Sequence, residues 1–415
     1  MNSRERLCRS LRHQEPDRVP IDLGSSTSSG ISALAHHSLV RRLGWSEPTR
    51  VYDVVQQIAQ PSEAILDRFG VDVISVGRAY DTEDTDWYDL KLPGGVQVQF
   101  PAWFHPERNP DGSLAARAGD GTLIGSMPNG ATFFDEVHYP YLDDYPPGGA
   151  YSGLGEAMAR TTWGAFPASP WSHASEPDFW RGLRERTLAL RASTDRALVV
   201  AATGKLFEWG TFLRRMDNFL MDLVQAPAEV ERFLDALLER QLPVLEKLCQ
   251  AVGDLVDVIR FGDDLGMDSG PLLSPKIYRR IFKPRHKLLC DTVRKHTDVP
   301  ILLHSCGSIY SLLPDLIEAG FQAFNPVQTS SRGMEPERLK REFGRQVTFW
   351  GGGADTRFVL NRASPAEVKD HVRRNLDIFA PGGGYVFNPV HNILPDVPPE
   401  NIVAMFDAVL EYGGS

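Results

Sequence analysis

The sequence predicts an α/β fold: a single (β/α)8 TIM barrel over residues 1–415, with a β- and loop-rich lobe inserted over 80–170, between strands two and three. Three observations predict it. Apolar runs of strand length fall at 19–24, 71–75, 197–202, 256–261, 300–303, 323–327, 347–350 and 385–389, which makes eight. Helix-period stretches separate the later ones, and strands that alternate with helices build a parallel sheet covered on its outer face. The chain's 415 residues suit one barrel with an insertion.

Taken in order, residues 3–13 read as a short amphipathic helix, with Ser3 as its cap and Leu7 and Leu11 four apart on one face. The first strand follows Asp17-Arg18 and runs into a Ser/Gly-rich loop over 25–30. His36 and His37 are adjacent on a helix, point about 100° apart, and are read as surface or packing residues. A helix is expected near 51–69, ahead of the second strand. Between 80 and 170 the texture turns to Gly, Pro, Asp and aromatic residues, with short alternating pieces such as Val96 to Phe100. Those aromatics either cover the mouth of a site or form a small core of their own. After a helix near 176–195 the strand and helix alternation becomes regular, with helices at 227–252, 275–296 and 365–379.

The formal charge of -10, from 44 Lys and Arg against 54 Asp and Glu, gives no electrostatic basis for a nucleic-acid or anionic-membrane partner. Cys8, Cys249, Cys290 and Cys306 form no disulfide-like framework, and the first ten residues are too charged for a signal sequence. No apolar run approaches the roughly 20 residues of a membrane span. A cytoplasmic protein is expected.

In a barrel, reacting groups gather at the carboxyl ends of the strands. Those ends carry Ser25, Glu208, Asp263, Asp264, His304, Cys306, Asn325, Gln328, Asn388 and His391. In His304-Ser305-Cys306-Gly307, side chains two apart on extended backbone aim the same way, so an imidazole and a thiolate make half a zinc site. The alternative is a buried histidine with a satisfied hydrogen bond beside an inert cysteine. His391, after the last strand, lies across the mouth and is the candidate third ligand, leaving Zn2+ a fourth position for carboxylate, water or substrate. Such an ion would keep a net charge of about +1 and act as a Lewis acid on an ether or hydroxyl oxygen. Asp263 and Asp264 are candidates for a fourth ligand, an orienting group, a proton carrier or a helix cap. Ser25, Glu208, Asn325, Gln328 and Asn388 are expected to bind or orient substrate. The runs Gly351-Gly352-Gly353 and Gly382-Gly383-Gly384 match neither a P-loop nor a dinucleotide fingerprint and read as turns.

Several motifs together resemble the uroporphyrinogen decarboxylase superfamily: Asp17-Arg18-Val19-Pro20, Leu272-Leu273-Ser274-Pro275, His304-Ser305-Cys306-Gly307, the tail Gly382 to Asn392, and Pro398-Pro399-Glu400-Asn401-Ile402. That group includes the decarboxylase of haem synthesis and zinc methyltransferases that work with corrinoid proteins, and its fold is a (β/α)8 barrel. The methyltransferases use a His-x-Cys, matched by His304 and Cys306, and usually a later cysteine, where this sequence offers His391. The decarboxylase has a functional histidine in a segment like 388–391 but carries an arginine-bearing motif after its first strand, where this chain has Asp22-Leu23-Gly24-Ser25-Ser26. A substrate with many carboxylates needs cationic partners. The resemblance therefore implies a zinc-dependent methyltransferase that moves a methyl group from a small O-methyl substrate to a corrinoid protein or a thiol. The alternatives are a metal-independent lyase, with His391 and Asp263 or Asp264 handling protons, and a barrel that binds a tetrapyrrole or corrinoid without converting it.

Overall fold

The computed structural model describes residues 1–92 and 94–414. Its centre is a seven-stranded parallel sheet, with β1 (Val73–Ser75), β2 (Ala197–Ala201), β3 (Val258–Gly262), β4 (Ile301–His304), β5 (Ala323–Asn325), β6 (Thr348–Trp350) and β7 (Tyr385–Val386) side by side in chain order. Each is short and almost wholly buried, as strands covered on both faces must be. The helices that follow include Pro227–Val252, Lys283–Arg294 and Pro365–Phe379. The last starts at a Ser364 and Glu367 capping box.

The expected first strand, 19–24, forms no ladder. It contributes two isolated parallel bridges, Ile21 to Phe387 and Asp22 to Val73, and so lies between the two edge strands of the curled sheet. The reason is local: Pro20 has no N–H, and the Ile21 N–H donates to the Asp72 carboxylate at 2.9 Å instead of to a backbone carbonyl. The expected helix near 51–69 is also corrected. Val51–Asp53 and Ile58–Ala59 form an antiparallel sheet with Ile31–Ser32, and only Glu63–Arg68 is helical. Val51, Val54, Val55 and Ile58 favour extended backbone, and Pro61 with the Ser62 cap delays the helix.

Between β1 and β2 lie a hairpin, Trp87–Lys91 with Gln97–Pro101, and a four-stranded antiparallel sheet ending at Asp135–Glu136. Their apolar cluster, built on Phe100, Phe104, Leu114, Met127 and Phe134, also takes in Ala33, Val51, Val54 and Val55. This region thus shares its core with residues before position 80. A separate cluster fills the sheet's interior: Val73, Ala197, Val199, Val258, Leu302, Ala323, Trp350 and Val386, joined by Leu7 from the helix Ser3–Leu11. None of the described helices is long and apolar enough to cross a membrane.

Candidate functional site

Strand alternation builds the site on that floor. Side chains two residues apart on a strand share a face, so Arg260, His304 and Asn325 follow the floor residues Val258, Leu302 and Ala323 on the same face of their own strands. The register pairs Arg260 with Leu302, Gly262 with His304, and His304 with Asn325. His304 Nδ1 lies 2.7 Å from Asn325 Oδ1, and Asn325 Nδ2 donates to the Trp350 carbonyl at 2.9 Å. The second bond makes oxygen the atom that faces the ring. Nδ1 therefore carries the proton, and Nε2 keeps its lone pair for the cavity side.

Two residues on, Cys306 is held by its backbone. Its N–H donates to Asp264 Oδ1 at 2.9 Å, the Gly307 N–H donates to Gln328 Oε1, and Ser305 Oγ accepts the Leu265 N–H at 3.0 Å. Gly307 has φ +78°, and a Cβ there would sit 2.4 Å from the Gly266 carbonyl carbon and the Met267 nitrogen, so the turn requires glycine. His391 stands beyond β7 between two fastened asparagines. Asn388 Nδ2 donates to the carbonyls of Asp22 at 3.1 Å and Ser29 at 3.3 Å, and Asn392 Nδ2 donates to the Thr27 carbonyl at 2.9 Å.

These loops bring ligand atoms of His304, Cys306 and His391 within 4.8 Å of one another. Cys306 Sγ and His304 Nε2 are 3.4 Å apart. Tetrahedral zinc, with bonds of ~2.0–2.3 Å, sets its ligand atoms ~3.5 Å apart, so donor set and spacing fit that ion. Asp264 Oδ1 is 3.7 Å from His304 Nε2, at the edge of the cluster. Burial, with Arg260 and His391 nearby, holds the His304 pKa well below its usual value, and burial also lowers that of His391. Burial thus favours the neutral imidazole that a metal ligand must be. Burial, with Asp264 and Glu208, pushes the Cys306 thiol well up, so a bound cation would have to displace its proton.

The cluster opens on a cavity of about 470 Å3. Ser25, Glu208, Asp264, His304 and His391 line it, together with Tyr52, Lys205, Arg260 and an aromatic wall of Trp163, Phe166, Trp171 and Phe212. Ser25 Oγ donates to Asp22 Oδ2 at 2.8 Å, and the Trp350 indole donates to the same oxygen at 2.7 Å. Glu208 is the second residue of the helix Phe207–Arg214, not a loop residue. Its Oε1 accepts from Lys205 Nζ at 2.8 Å, and its Oε2 is buried without a hydrogen-bond partner among the described residues. Burial, with Asp264 and Asp263 adding to it, pushes its carboxyl up to about 7.

Asp263, Asn325, Gln328 and Asn388 do not reach the cavity wall. Asp263 is buried behind it, accepts the N–H groups of Leu206, Phe207 and Glu208 at 3.2, 3.1 and 2.9 Å, and stands 3.0 Å from His286 Nε2. It caps a helix. Asn325 orients His304, Gln328 holds the Gly307 turn, and Asn388 holds the His391 loop. Reading strand ends alone missed Arg260, Lys205 and Tyr52. For Arg260 a signal was present: a charged residue inside the apolar run 256–261, two positions from a residue of the floor.

A family model described as uroporphyrinogen decarboxylase (URO-D) matches residues 188–412. A uroporphyrinogen decarboxylase of Chloroherpeton thalassium is 30% identical over 146 residues, covering 34% of this chain and 39% of that protein. The methylcobamide:CoM methyltransferase MtaA of Methanosarcina barkeri is 26% identical over 186 residues, covering 44% of this chain and 49% of that protein. The chain spans half or less of the length of these curated relatives. A solved structure of a methyltransferase from Methanosarcina mazei shares the fold, with a TM-score of 0.59 at 16% identity over 99% of both chains. The relatives carry both activities in their names, and the family model matches more than half of the sequence: this chain belongs to the uroporphyrinogen decarboxylase family.

Proposed function

We propose that this chain is a zinc-dependent methyltransferase that takes a methyl group from a small O-methyl compound and passes it to a thiol or to a corrinoid protein. The observation that carries the reading is the convergence of His304, Cys306 and His391, with Asn325 fixing the His304 tautomer. When bound, Zn2+ would supply Lewis acidity toward oxygen or sulfur. The chain's own groups do the rest. Asp264 holds the Cys306 backbone in place, and the aromatic wall excludes water from one side of the cavity. In the transfer the C–O bond breaks, its electron pair stays on oxygen, and the acceptor's lone pair forms the new bond to carbon. Glu208, with a carboxyl near 7, is placed to hold a proton on Oε2 and give it to that oxygen.

The test is metal content by mass spectrometry of the isolated protein, beside Cys306→Ser and His391→Ala, followed by transfer assays with a thiol and with a corrinoid acceptor. Near-stoichiometric zinc, lost in both variants together with transfer, is the expected result. A folded, zinc-reconstituted protein that neither binds the ion nor transfers methyl would overturn the reading. The buried Arg260 favours one other reading, a lyase acting on a carboxylated substrate, and that reading predicts product formation that survives chelation.

A further inference from the structure

Arg260 is only 9% exposed, yet the protein satisfies little of it. Nη2 donates to Ser28 Oγ at 2.8 Å, and Nε is buried with no hydrogen-bond partner among the described residues. Among the described residues the guanidinium forms no ion pair. A buried cation with no acid in direct contact is costly to keep, and the cost falls when an anion with matching geometry arrives. Arg260 lines the cavity, so the missing partner has a way in.

The neighbours define what that partner is. Lys205 hydrogen-bonds Glu208 at 2.8 Å, whereas Arg260 has no acid in direct contact among the described residues, Glu208 and Asp264 acting on it only from farther off. Lys205 Nζ sits 5.5 and 5.3 Å from the ring centres of Trp163 and Phe212, which stack on each other at 5.6 Å. That wall is flat and apolar. The Leu302 register partner of Arg260 lies two residues below His304, so an anion on the guanidinium occupies the cavity floor beside the histidine and cysteine cluster. A planar fork with free N–H groups matches a carboxylate in two-point fashion.

We propose that Arg260 is the carboxylate-binding residue of this cavity, and that the ligand is a small planar monocarboxylate whose apolar body lies against Trp163 and Phe212. This names the substrate class for the proposed function and rests on that reading only for what reaction follows. A ligand of this class meets the cavity's unpaired cation with one charge and its aromatic wall with one face. A tetrapyrrole with many carboxylates would meet too few cations here.

The probe is benzoate, with benzamide as its neutral counterpart of the same shape, titrated against tryptophan fluorescence, since Trp163 and Trp171 line the cavity. Titrations are run on the protein as isolated and again after dialysis against a chelator. Saturable quenching by benzoate that survives chelation is expected, with Kd raised at least tenfold by Arg260→Gln and benzamide indifferent to the change. Arg260→Lys, which keeps the charge but not the fork, is expected to fall between, and it serves as the test if Arg260→Gln lowers the melting temperature. The proposal is overturned by equal binding of benzoate and benzamide, by a benzoate Kd unchanged in both variants, by loss of binding on chelation alone, or by no benzoate binding at all. A protein that binds benzoate through Arg260 but transfers no methyl group would sink the proposed reaction and leave this subsite standing.

Discussion

Replacing Asn325 tests how the metal cluster is held. The side chain makes three bonds, accepting from His304 Nδ1 at 2.7 Å and from Ser28 Oγ at 3.5 Å and donating to the Trp350 carbonyl at 2.9 Å. Asn325→Ala removes all three, whereas Asn325→Asp removes the donor and keeps the acceptor. Both variants lose a buried hydrogen bond and are expected to be less stable by about 1 kcal/mol. Only the alanine variant frees the His304 ring to rotate and change tautomer. Loss of such an orienting partner typically weakens metal binding 10- to 100-fold, or about 1.4–2.7 kcal/mol. Zinc affinity would be measured by competition with a chromogenic chelator, with urea unfolding as the control for stability. Asn325→Ala should show the loss, and Asn325→Asp should bind zinc at least as well as wild type. Equal zinc affinity in the two variants would refute the claim that this amide fixes the ligand.

Asp263→Ala should cost about 2–4 kcal/mol in urea unfolding, because three N–H groups at the start of Phe207–Arg214 and the His286 ring lose their acceptor, while zinc content holds. His36, wholly buried, has its pKa lowered from 6.5 to about 4 by burial. A depressed folded pKa means stability that is complete above 6.5 and lost as pH falls through about 4, worth about 3 kcal/mol in full, and His36→Gln should flatten that slope in denaturant melts. Glu208, pushed up to about 7, is protonated below that pH, so methyl transfer should fall as pH rises through 7, and Glu208→Gln should remove that limb from the pH–rate profile.

The parts of this protein that could be read from its sequence are those in which a local rule and the tertiary structure agree. Runs such as 300–303 had no polar residue to mislead, and Pro227–Val252 and Pro365–Phe379 start at prolines that suit a first helical turn. His304 and Cys306 were legible because a period of two is all that is needed to pair them. Residues 51–59 were not, since Ile58–Ala59 is a strand held between Val51–Asp53 and the distant Ile31–Ser32. Asp263 and Asp264 are adjacent and chemically identical; which one caps a helix and which meets the cavity depends on the face each occupies after β3. Arg260 was hidden in plain view, because attention to strand ends passed over a charge in a strand's interior.

The close approach of Gly266 and Gly307 has a consequence for how this scaffold can diverge. A Cβ on Gly266 would meet the Cys306 carbonyl oxygen at 2.6 Å, so these two loops are set by main chain packed on main chain. The reactive corner is thus insulated from side-chain drift. Trp163, Phe166 and Trp171 come from a different stretch and meet that corner across the cavity. Substitutions over 163–171 can therefore retune which compound is accepted while the chemistry beneath stays unchanged, and a library confined to those positions is the economical place to search for new specificities.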